Sequence, residues 1–250
     1  MKASTPRPDV LIALPVFGGM VHVQFMGSLF TLINTLLAKG IPVDMMFVVD
    51  SLITRARNKL ANQFLHGASF THLLFIDVDS EFDANDIIRM IEADVDVIGL
   101  PWAKKVINWK KVASAAQNGV PADELSQFTS SLVGIAKKGA TANKGILEVD
   151  YVGTGLMLVK RHVFGRLMLE HPDWEYTLMS DEGSGKAWAF FGVGIHPTGN
   201  YYLSEDWKFC SDWKELGGKI HMLVDAKTVH HGAYGYIMDV TANLKAGIEP

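Results

Sequence analysis

Apolar and polar residues follow a regular rhythm over the first hundred positions of the chain. Short apolar runs that end at Pro, Asp or another polar residue are typical of buried strands, and the segments between them carry apolar residues at helical spacing. The predicted strands cover residues 10–15, 43–49, 73–76 and 95–100. The first predicted helix covers residues 22–39. The second is capped by Asp50-Ser51 and ends near residue 65, and the third covers residues 85–92 and is capped by Asp83. This alternation predicts an α/β fold, with a mostly parallel central sheet and helices on both of its faces.

The regular alternation of predicted strands and helices ends in the second half, where residues 102–143 are polar and rich in Lys and Ala. Two strands are predicted to form a pair joined through Gly153-Thr154-Gly155, whose glycines allow either a close backbone approach to a ligand or a plain turn. The predicted elements are a helix near 122–128, a strand near 131–136, strands over 148–152 and 156–160, a helix over 163–170, a loop over 171–200 around a strand at 187–191, a helix over 205–216 capped by Ser204, a strand over 219–224 and a C-terminal tail.

Composition limits the class of protein. The chain has 250 residues, 48% of them hydrophobic and 20% charged, which is ordinary for one globular domain over 1–250. The net charge is −4 and no dense run of Lys or Arg occurs, so nucleic acid is not expected as a main partner. Cys210 is the one cysteine, which excludes an intrachain disulfide and fits a reducing compartment. Residues 1–9 lack the order of a signal peptide and no apolar stretch is long enough for a membrane span, so we expect a cytoplasmic protein without a transmembrane segment.

Two acidic residues directly follow the third predicted strand, in the order Asp77-Val78-Asp79. Side chains alternate along a strand, so Asp77 and Asp79 are expected to leave the same face at its carboxyl end, where open α/β sheets bind ligands. Two close carboxylates raise each other's pKa unless a cation lies between them, and hard divalent cations prefer oxygen ligands. The pair therefore predicts a metal site. A capping Asp77 beside a solvated Asp79 is the alternative that the local pattern leaves open.

A second candidate site lies in the first turns of the second predicted helix. Free amide hydrogens and an added guanidinium at Arg57-Asn58 would favour a phosphate group. Residues two apart on a helix point to different sides, so Arg55 and Arg57 are not expected to share one task. The alternative is that both arginines are surface residues that pair with Asp50.

Acids and histidines complete the set of candidates. Glu205 and Asp206 open a predicted helix, where acids also occur as ordinary capping residues. A neutral imidazole from His230 or His231 can complete a metal site begun by carboxylates. Adjacent histidines usually point apart, so at most one of the two is expected to be a ligand.

Taken in order, these pieces resemble the nucleotide-sugar glycosyltransferases of the GT-A fold, in particular small soluble family-2-like members of bacterial, viral or phage type. The matching residues are 10–15, Arg57-Asn58, 73–79, 94–99, 151–160, 204–207 and His230-His231-Gly232. The resemblance spans nearly the whole chain. It implies a nucleotide-binding sheet half over 10–100, and an acceptor-side half with a C-terminal tail over 101–250. It also implies a metal-dependent transfer of a sugar from a UDP- or GDP-linked donor to a carbohydrate or other hydroxyl acceptor.

The resemblance implies a role for each matching residue. The implied ligands of Mn²⁺ or Mg²⁺ are Asp77, Asp79 and one of His230 and His231. The implied donor-binding residues are Pro15, Val16, Asp50, Arg57, Asn58, Asp77 and Asp79. The implied catalytic residues are Glu205 and Asp206, one of which would be the general base. The implied acceptor-side residues are Gly153, Thr154, Gly155 and Trp188.

Two other functions fit part of the pattern. A phosphatase of the haloacid-dehalogenase type would use Asp77 as nucleophile and Asp79 as acid, but in that family the motif normally opens the chain, and Ser80-Glu81 does not fit it. A GT-A-like domain that binds a nucleotide or glycan without turnover is the non-enzymatic alternative. The donor sugar, the nucleotide, the acceptor and the choice between inversion and retention stay open.

Overall fold

The computed structural model describes residues 8–67, 70–136, 139–179 and 185–248. Its strands are β1 (Val10–Val16), β2 (Val43–Val49), β3 (His72–Ile76), β4 (Ser80–Glu81), β5 (Val97–Gly99), β6 (Gly134–Ala136), β7 (Ile146–Val152), β8 (Leu156–Lys160), β9 (Glu175–Thr177), β10 (Lys186–Trp188), β11 (Gly194–Ile195), β12 (Tyr202–Leu203), β13 (Ile220–Leu223), β14 (Lys227–His230) and β15 (Tyr236–Asp239). Its α-helices are α1 (Val23–Ala38), α2 (Ile53–His66), α3 (Ala84–Glu92), α4 (Trp109–Gln117), α5 (Arg161–Glu170), α6 (Glu205–Glu215) and α7 (Val240–Lys245). All elements predicted for the first half are present.

The central sheet contains eight strands in the order β2-β1-β3-β8-β5-β13-β7-β6. β1 runs parallel to β2 and β3, and β5 runs parallel to β13, whereas β8 and β7 run antiparallel to both of their neighbours. Six of the eight strands therefore point the same way, which confirms the mostly parallel sheet. The carboxyl ends of β1, β2 and β3 meet at one edge of this sheet, the position at which open α/β sheets bind ligands.

Two hydrophobic clusters cover the two faces of the sheet. Leu11 and Ala13 of β1 join a cluster with residues of α2, α5 and α6, whereas Val10, Ile12 and Leu14 join one with residues of α1 and α3. Because side chains alternate along a strand, one apolar run supplies both clusters. Helices on both faces are thereby confirmed, and with them the α/β class. Within the described ranges, no helix combines the length and the apolar character that a membrane crossing requires.

The predicted pairing of the two strands around Gly153 is wrong. β7 and β8 are both strands of the central sheet, but β8 lies between β3 and β5, and β7 lies between β13 and β6. The connection is therefore a crossover within the sheet and not a hairpin. Two strands from distant parts of the chain, β5 and β13, fill the space between β8 and β7, and no local pattern records such pairing.

The predicted C-terminal tail is also wrong. β14 and β15 form an antiparallel pair, and β14 pairs in addition with β4, with His230 opposite Ser80. The helix α7 follows directly. β14 is short and only partly buried, so its residues lack the apolar alternation by which strands are recognised.

The segment over 102–143 differs from its prediction. A helix forms at α4, whereas the predicted helix near 122–128 is reduced to a single 3₁₀ turn at Leu125–Phe128. Asn108 caps α4 by accepting a hydrogen bond from the Lys111 N–H, and the buried Lys111 ammonium donates to the Ser130 carbonyl at 3.0 Å. Apolar periodicity misses α4 because a lysine occupies part of its buried face. The predicted strand near 131–136 is shorter, as β6.

The loop predicted over 171–200 contains the small antiparallel pair of β9 with β10, and also β11, which pairs with β12 just beyond the loop. Residues 180–184 of that loop lie outside the described residues.

The three capping predictions have different outcomes. Asp83 caps α3 as predicted, because its carboxylate accepts a hydrogen bond from the Asn85 N–H at 2.8 Å. The helix α2 begins after Leu52 without a side-chain cap, so the cap predicted at Asp50-Ser51 is wrong. Ser204 precedes α6, but its hydroxyl donates to the Asp206 carboxylate and does not cap the helix.

His72 gives the fold a defined sensitivity to acid. The residue is 8% exposed at the start of β3, and burial lowers the pKa of its imidazole to about 4, from 6.5 in the unfolded chain. Because the unfolded chain binds the proton more readily, stability is expected to fall as the pH drops from 6.5 through 4, by up to about 3 kcal/mol. Urea denaturation across this range should show a smaller loss for His72→Gln. The exposed His66→Gln is the control and should keep the wild-type slope; equal slopes in both variants would contradict the assignment.

Candidate functional site

The ends of three neighbouring strands form a small cavity. β1 ends at Pro15 and Val16, β2 runs into Asp50, and β3 runs into Asp77, so the parallel arrangement brings these residues to one edge. With Asp79 they line a cavity of 160 Å³. The structure therefore brings together five of the residues that the resemblance placed at the donor.

The acidic pair lies in a turn and not on the strand. β3 ends at Ile76, and the carbonyl oxygen of Asp77 accepts hydrogen bonds from both the N–H of Ser80, at 3.1 Å, and its hydroxyl, at 2.7 Å. The prediction that Asp77 and Asp79 leave one face of an extended strand is therefore wrong, because Ser80 closes a turn around them. The two carboxylates contact different cations.

Asp77 is paired with a buried arginine. The Arg57 side chain, 3% exposed on α2, donates from Nη2 to the Asp77 oxygens at 3.0 and 3.3 Å and from Nε to Glu205 Oε1 at 3.4 Å. One guanidinium thus joins the end of β3 to the start of α6. Its Nη1 is buried and has no hydrogen-bond partner among the residues that the structure describes, so one donor of the fork is left for an added acceptor. The surface alternative for Arg57 is wrong.

Asp50 is held by the protein itself. Its side chain is 3% exposed and accepts hydrogen bonds from Arg55 Nε and Nη2, both at 2.7 Å, and from the Leu52 N–H at 3.0 Å. The hydrogen bonds from Arg55 hold the pKa of the Asp50 carboxyl well below its usual range. The alternative that Arg55 pairs with Asp50 is therefore confirmed. Arg55 and Arg57 have different tasks, as their spacing on the helix predicted.

Asp79 lies between a lysine and a histidine. Its Oδ2 is 2.5 Å from Lys105 Nζ and 3.3 Å from His230 Nε2. Burial by itself would raise the pKa of Asp79, but hydrogen bonds with His230 and Lys105 outweigh burial and lower the pKa to about 2. The carboxylate is therefore ionised at neutral pH.

The pairing of β14 with β4 brings His230 to Asp79, and a backbone carbonyl orients its ring. His230 Nδ1 lies 2.8 Å from the carbonyl oxygen of Ala103, which can only accept, so Nδ1 is assigned the hydrogen. The hydrogen bond with Asp79 forms when Nε2 also carries a hydrogen, in the protonated ring; in the neutral ring, Nε2 is an acceptor that faces the Asp79 carboxylate. Two acceptors directed at one point require a proton or a cation between them.

Trp102 packs against the His230 ring, and the two ring centroids are 4.2 Å apart. The two glycines of the β7–β8 connection leave space for this indole: a Cβ on Gly155 would lie 2.3 Å from Trp102 Cε2, and one on Gly153 would lie 3.2 Å from its Cδ1. Thr154, between them, is buried. Gly153 and Gly155 therefore pack against the residue that supports His230.

His231 points away from Asp79. Its Nε2 lies 2.8 Å from Glu81 Oε2, and its ring stacks on His22 with centroids 5.6 Å apart. The two adjacent histidines thus diverge, as expected, and His230 is the one beside Asp79.

The two acids that open α6 have different surroundings. Glu205 lies in the cluster with Arg57 and Asp77, and burial raises the pKa of its carboxyl, partly offset by the Arg57 charge. Asp206 Oδ1 accepts hydrogen bonds from the Trp207 N–H at 2.7 Å and from the Ser204 hydroxyl. Glu205 is therefore directed toward the cavity residues, whereas Asp206 stabilises the start of the helix.

Two further candidates, Asn58 and Trp188, take part in hydrogen bonds that connect α2 to the segment 188–191. The Asn58 side chain bonds the Phe191 N–H at 2.8 Å and its carbonyl at 3.1 Å. The Trp188 backbone is bonded in the same manner by Asn62, at 2.8 Å for both contacts. The structure thus places Asn58 and Trp188 at a packed seam between the loop and α2.

Asp79 and His230 fit a divalent cation. One ionised carboxylate and one imidazole, with Nδ1 held by a backbone carbonyl, form a donor set that Mn²⁺ and Mg²⁺ accept, and both ions take further ligands from water and phosphate. Across the described ranges, no group of three or more His, Cys, Asp and Glu residues is arranged to hold a metal ion. Asp79 and His230 are therefore the two candidate metal ligands that the described residues bring together.

Lys105 is the site residue that the sequence did not reveal. It lies in the polar segment over 102–143, which matches no known motif. Its partner Asp79 lies in the turn between β3 and β4. A lysine in a Lys-rich segment carries no local mark of this contact, because only the folded chain brings the two side chains together.

The comparisons with known proteins concern shape. No protein-family model matches the chain, and no curated protein is significantly similar to it in sequence. Solved structures with a similar arrangement include A197 from STIV (15% identity, TM-score 0.48, 90% of this chain and 86% of that chain). They also include the catalytic domain of Drosophila β1,4-galactosyltransferase 7, solved with xylobiose (12%, 0.42, 95% and 73%), and GalNAc-T7, solved with UDP, GalNAc and Mn²⁺ (10%, 0.46, 87% and 42%). Two of these three are glycosyltransferases, and similarity at this level assigns neither an activity nor a residue's role to this chain.

Removal of the Arg57 charge is expected to destabilise the fold. Arg57→Leu leaves Asp77 and Glu205 without their buried cation, so the free energy of unfolding should fall by about 2–4 kcal/mol. Lys39→Leu is the control, since its ion pair with Glu92 is exposed on both sides (47% and 65%), and its loss should stay below about 1 kcal/mol. Urea denaturation measures both. Equal losses would show that Arg57 is not the central cation of the cluster.

Proposed function

We propose that this protein is a metal-dependent glycosyltransferase that moves a sugar from a nucleotide-diphosphate donor to a hydroxyl acceptor. The observation that carries the proposal is the approach of His230 Nε2 to Asp79 Oδ2 at the carboxyl end of the sheet. An ionised carboxylate and an acceptor nitrogen that face one point are a suitable pair of ligands for a divalent cation. The adjacent cavity and the buried Arg57 add a place for the nucleotide and a fixed positive charge.

The donor would lie along the strand ends. Pro15 and Val16 offer an apolar wall for the base, and Asp50, already held by Arg55, would shape the ribose end of the same cavity. Arg57 Nη1, which has no hydrogen-bond partner within the described ranges, would donate to an oxygen of the donor substrate. UDP- and GDP-linked sugars both fit this description, because the choice of base depends on a few contacts in the cavity.

Asp79 and His230 would hold the Mn²⁺ or Mg²⁺. When bound, the cation offsets the negative charge that builds on the leaving diphosphate. The Ala103 carbonyl keeps the Nδ1 hydrogen of His230 in place, so that Nε2 stays an acceptor, and Trp102 fixes the plane of the ring.

An acid at the start of α6 would act as general base in an inverting transfer. The acceptor hydroxyl oxygen bonds to the anomeric carbon of the sugar, the carbon–oxygen bond to the diphosphate breaks with its electron pair going to the diphosphate, and the hydroxyl proton goes to the carboxylate. Glu205 is the first choice, because it lies beside Arg57 and burial raises its pKa. Asp206 is the second choice, because its Oδ1 already accepts two hydrogen bonds.

Aromatic residues beside α6 support a carbohydrate acceptor. Trp207 stacks on Tyr201 with ring centroids 5.0 Å apart, and Tyr201 and Tyr202 are both exposed next to the start of the helix. Exposed aromatic rings bury the apolar faces of sugars well.

Nucleotide binding is the first test of this function. We expect UDP or GDP with Mn²⁺ to raise the melting temperature, because a ligand at a hundred times its Kd stabilises the native state by about 2.7 kcal/mol. The shift should disappear with a chelator and in Asp79→Asn. Glu81→Gln removes a neighbouring charge that contacts His231 instead, and it should keep the shift.

The same assay separates the other functions. The absence of a shift with UDP, GDP, CDP and ADP would contradict the proposal. Hydrolysis of simple phosphate esters that depends on Asp77 would then favour the phosphatase. Metal-dependent nucleotide binding without sugar transfer or donor hydrolysis would favour the binding domain.

The general base is tested by substitution at the start of α6. Glu205→Gln should lower kcat for transfer by about 10²–10⁴-fold while nucleotide binding is retained, because the proton acceptor is lost. In the wild type, the rate should fall as the pH drops through the Glu205 pKa, since the base acts in its ionised form. Asp206→Asn is the comparison. A larger loss of kcat in Asp206→Asn than in Glu205→Gln would move the base to Asp206.

A further inference from the structure

A cation of the protein already occupies the place at which the proposed metal would bind. Lys105 Nζ lies 2.5 Å from Asp79 Oδ2, the same oxygen that His230 Nε2 approaches at 3.3 Å. The ammonium takes one lone-pair direction of this oxygen and, as a positive charge, repels a divalent cation that approaches the same carboxylate. The metal and Lys105 therefore compete for one oxygen of Asp79.

The position of Lys105 is built into the fold. The backbone before it is held by the segment 131–133, because the Val133 N–H donates to the Trp102 carbonyl at 2.7 Å and the Lys104 N–H donates to the Ser131 carbonyl at 2.9 Å. A Cβ on Gly232 would lie 3.2 Å from Lys105 Cδ, so the glycine after the two histidines leaves room for the lysine chain. The segment that orients His230 through Ala103 is thus the one that delivers Lys105.

We propose that Lys105 is a displaceable cation: it neutralises Asp79 in the ligand-free protein, gives way to the divalent metal, and then pairs with the diphosphate that arrives with the metal. The inference rests on the proposed function. Lys105 is suited to such a movement because its side chain is 36% exposed and carries three donors on a flexible stem, whereas Arg57 is enclosed. After displacement, the donor diphosphate is the anion that would replace Asp79 as its partner.

The consequence is a coupling between metal and diphosphate. A metal that binds alone must separate Lys105 from Asp79 and leave the ammonium without an anion, whereas a metal that binds with a diphosphate provides that anion. Each ligand therefore strengthens the binding of the other by the same factor. During transfer, Lys105 would donate a hydrogen bond to the departing diphosphate as the bond to the sugar breaks, and it would keep its proton.

The test measures Mn²⁺ binding without nucleotide, by the electron paramagnetic resonance signal of free Mn²⁺. Lys105→Met removes the competitor, so its affinity for Mn²⁺ should exceed that of the wild type by about fivefold or more. Lys104→Met is the matched control, because it removes the same charge from the exposed neighbouring residue, and its affinity should equal that of the wild type. Asp79→Asn should lose this binding.

A second measurement uses UDP and GDP with saturating Mn²⁺. Here Lys105→Met should bind the nucleotide more weakly than the wild type, because the diphosphate has lost a partner, whereas Lys105→Arg keeps the charge and should retain most of the affinity. Opposite changes in the two measurements mark a displaceable cation, since a merely structural defect would weaken the binding of both ligands.

The outcomes separate this inference from the proposed function. Mn²⁺ binding that needs Asp79 but is equal in Lys105→Met and the wild type would overturn the inference and leave the proposed metal site intact. Equal tightening in Lys104→Met and Lys105→Met would also overturn it, because the effect would then be one of net charge. The absence of Asp79-dependent Mn²⁺ binding in every variant would overturn both, and would leave Lys105 as a permanent substitute for the metal.

Discussion

Beside Asp50, which is paired with Arg55, three carboxylates crowd the carboxyl end of the central sheet, and the rest of the site follows from the need to balance their charge. Asp77, Asp79 and Glu205 are all partly withdrawn from water, where unpaired negative charges are costly. The protein supplies two cations of different character. Arg57 is buried and joins two of the acids permanently, whereas Lys105 is half-exposed and contacts the third. An enclosed arginine and a half-exposed lysine are thus placed side by side.

The architecture explains why these groups meet. Parallel strands deliver the ends of β1, β2 and β3 to one edge, so residues from three separate segments line one cavity. The fourth contribution comes from the far end of the chain, because β14 pairs with β4 immediately after the acidic turn. The histidine therefore reaches Asp79 through backbone hydrogen bonds between strands, which hold it more firmly than a loop would.

The side-chain packing around His230 is as specific as the ion pairs of the site. Trp102 fills the space that Gly153 and Gly155 leave open, and its indole lies against the ring of His230. The Ala103 carbonyl then assigns the hydrogen of that ring. A glycine pair that has the pattern of a ligand-binding loop is in this protein the support of a histidine. Its contribution to function is to keep one nitrogen directed at Asp79.

The elements of the first half and the α/β class could be predicted from the sequence, because helices and strands bury their apolar faces with periods that are visible locally. Pro15, Val16 and Asp50 at the strand ends were implied only by the resemblance to the GT-A-fold glycosyltransferases. The tertiary structure alone decided that β7 and β8 are separated, that the C-terminal segment forms strands, and that Asp77 and Asp79 contact different cations. It also decided the place of Lys105. Strand pairing and ion pairing join residues that are far apart in the chain, and such contacts leave no periodic trace in the segments that make them.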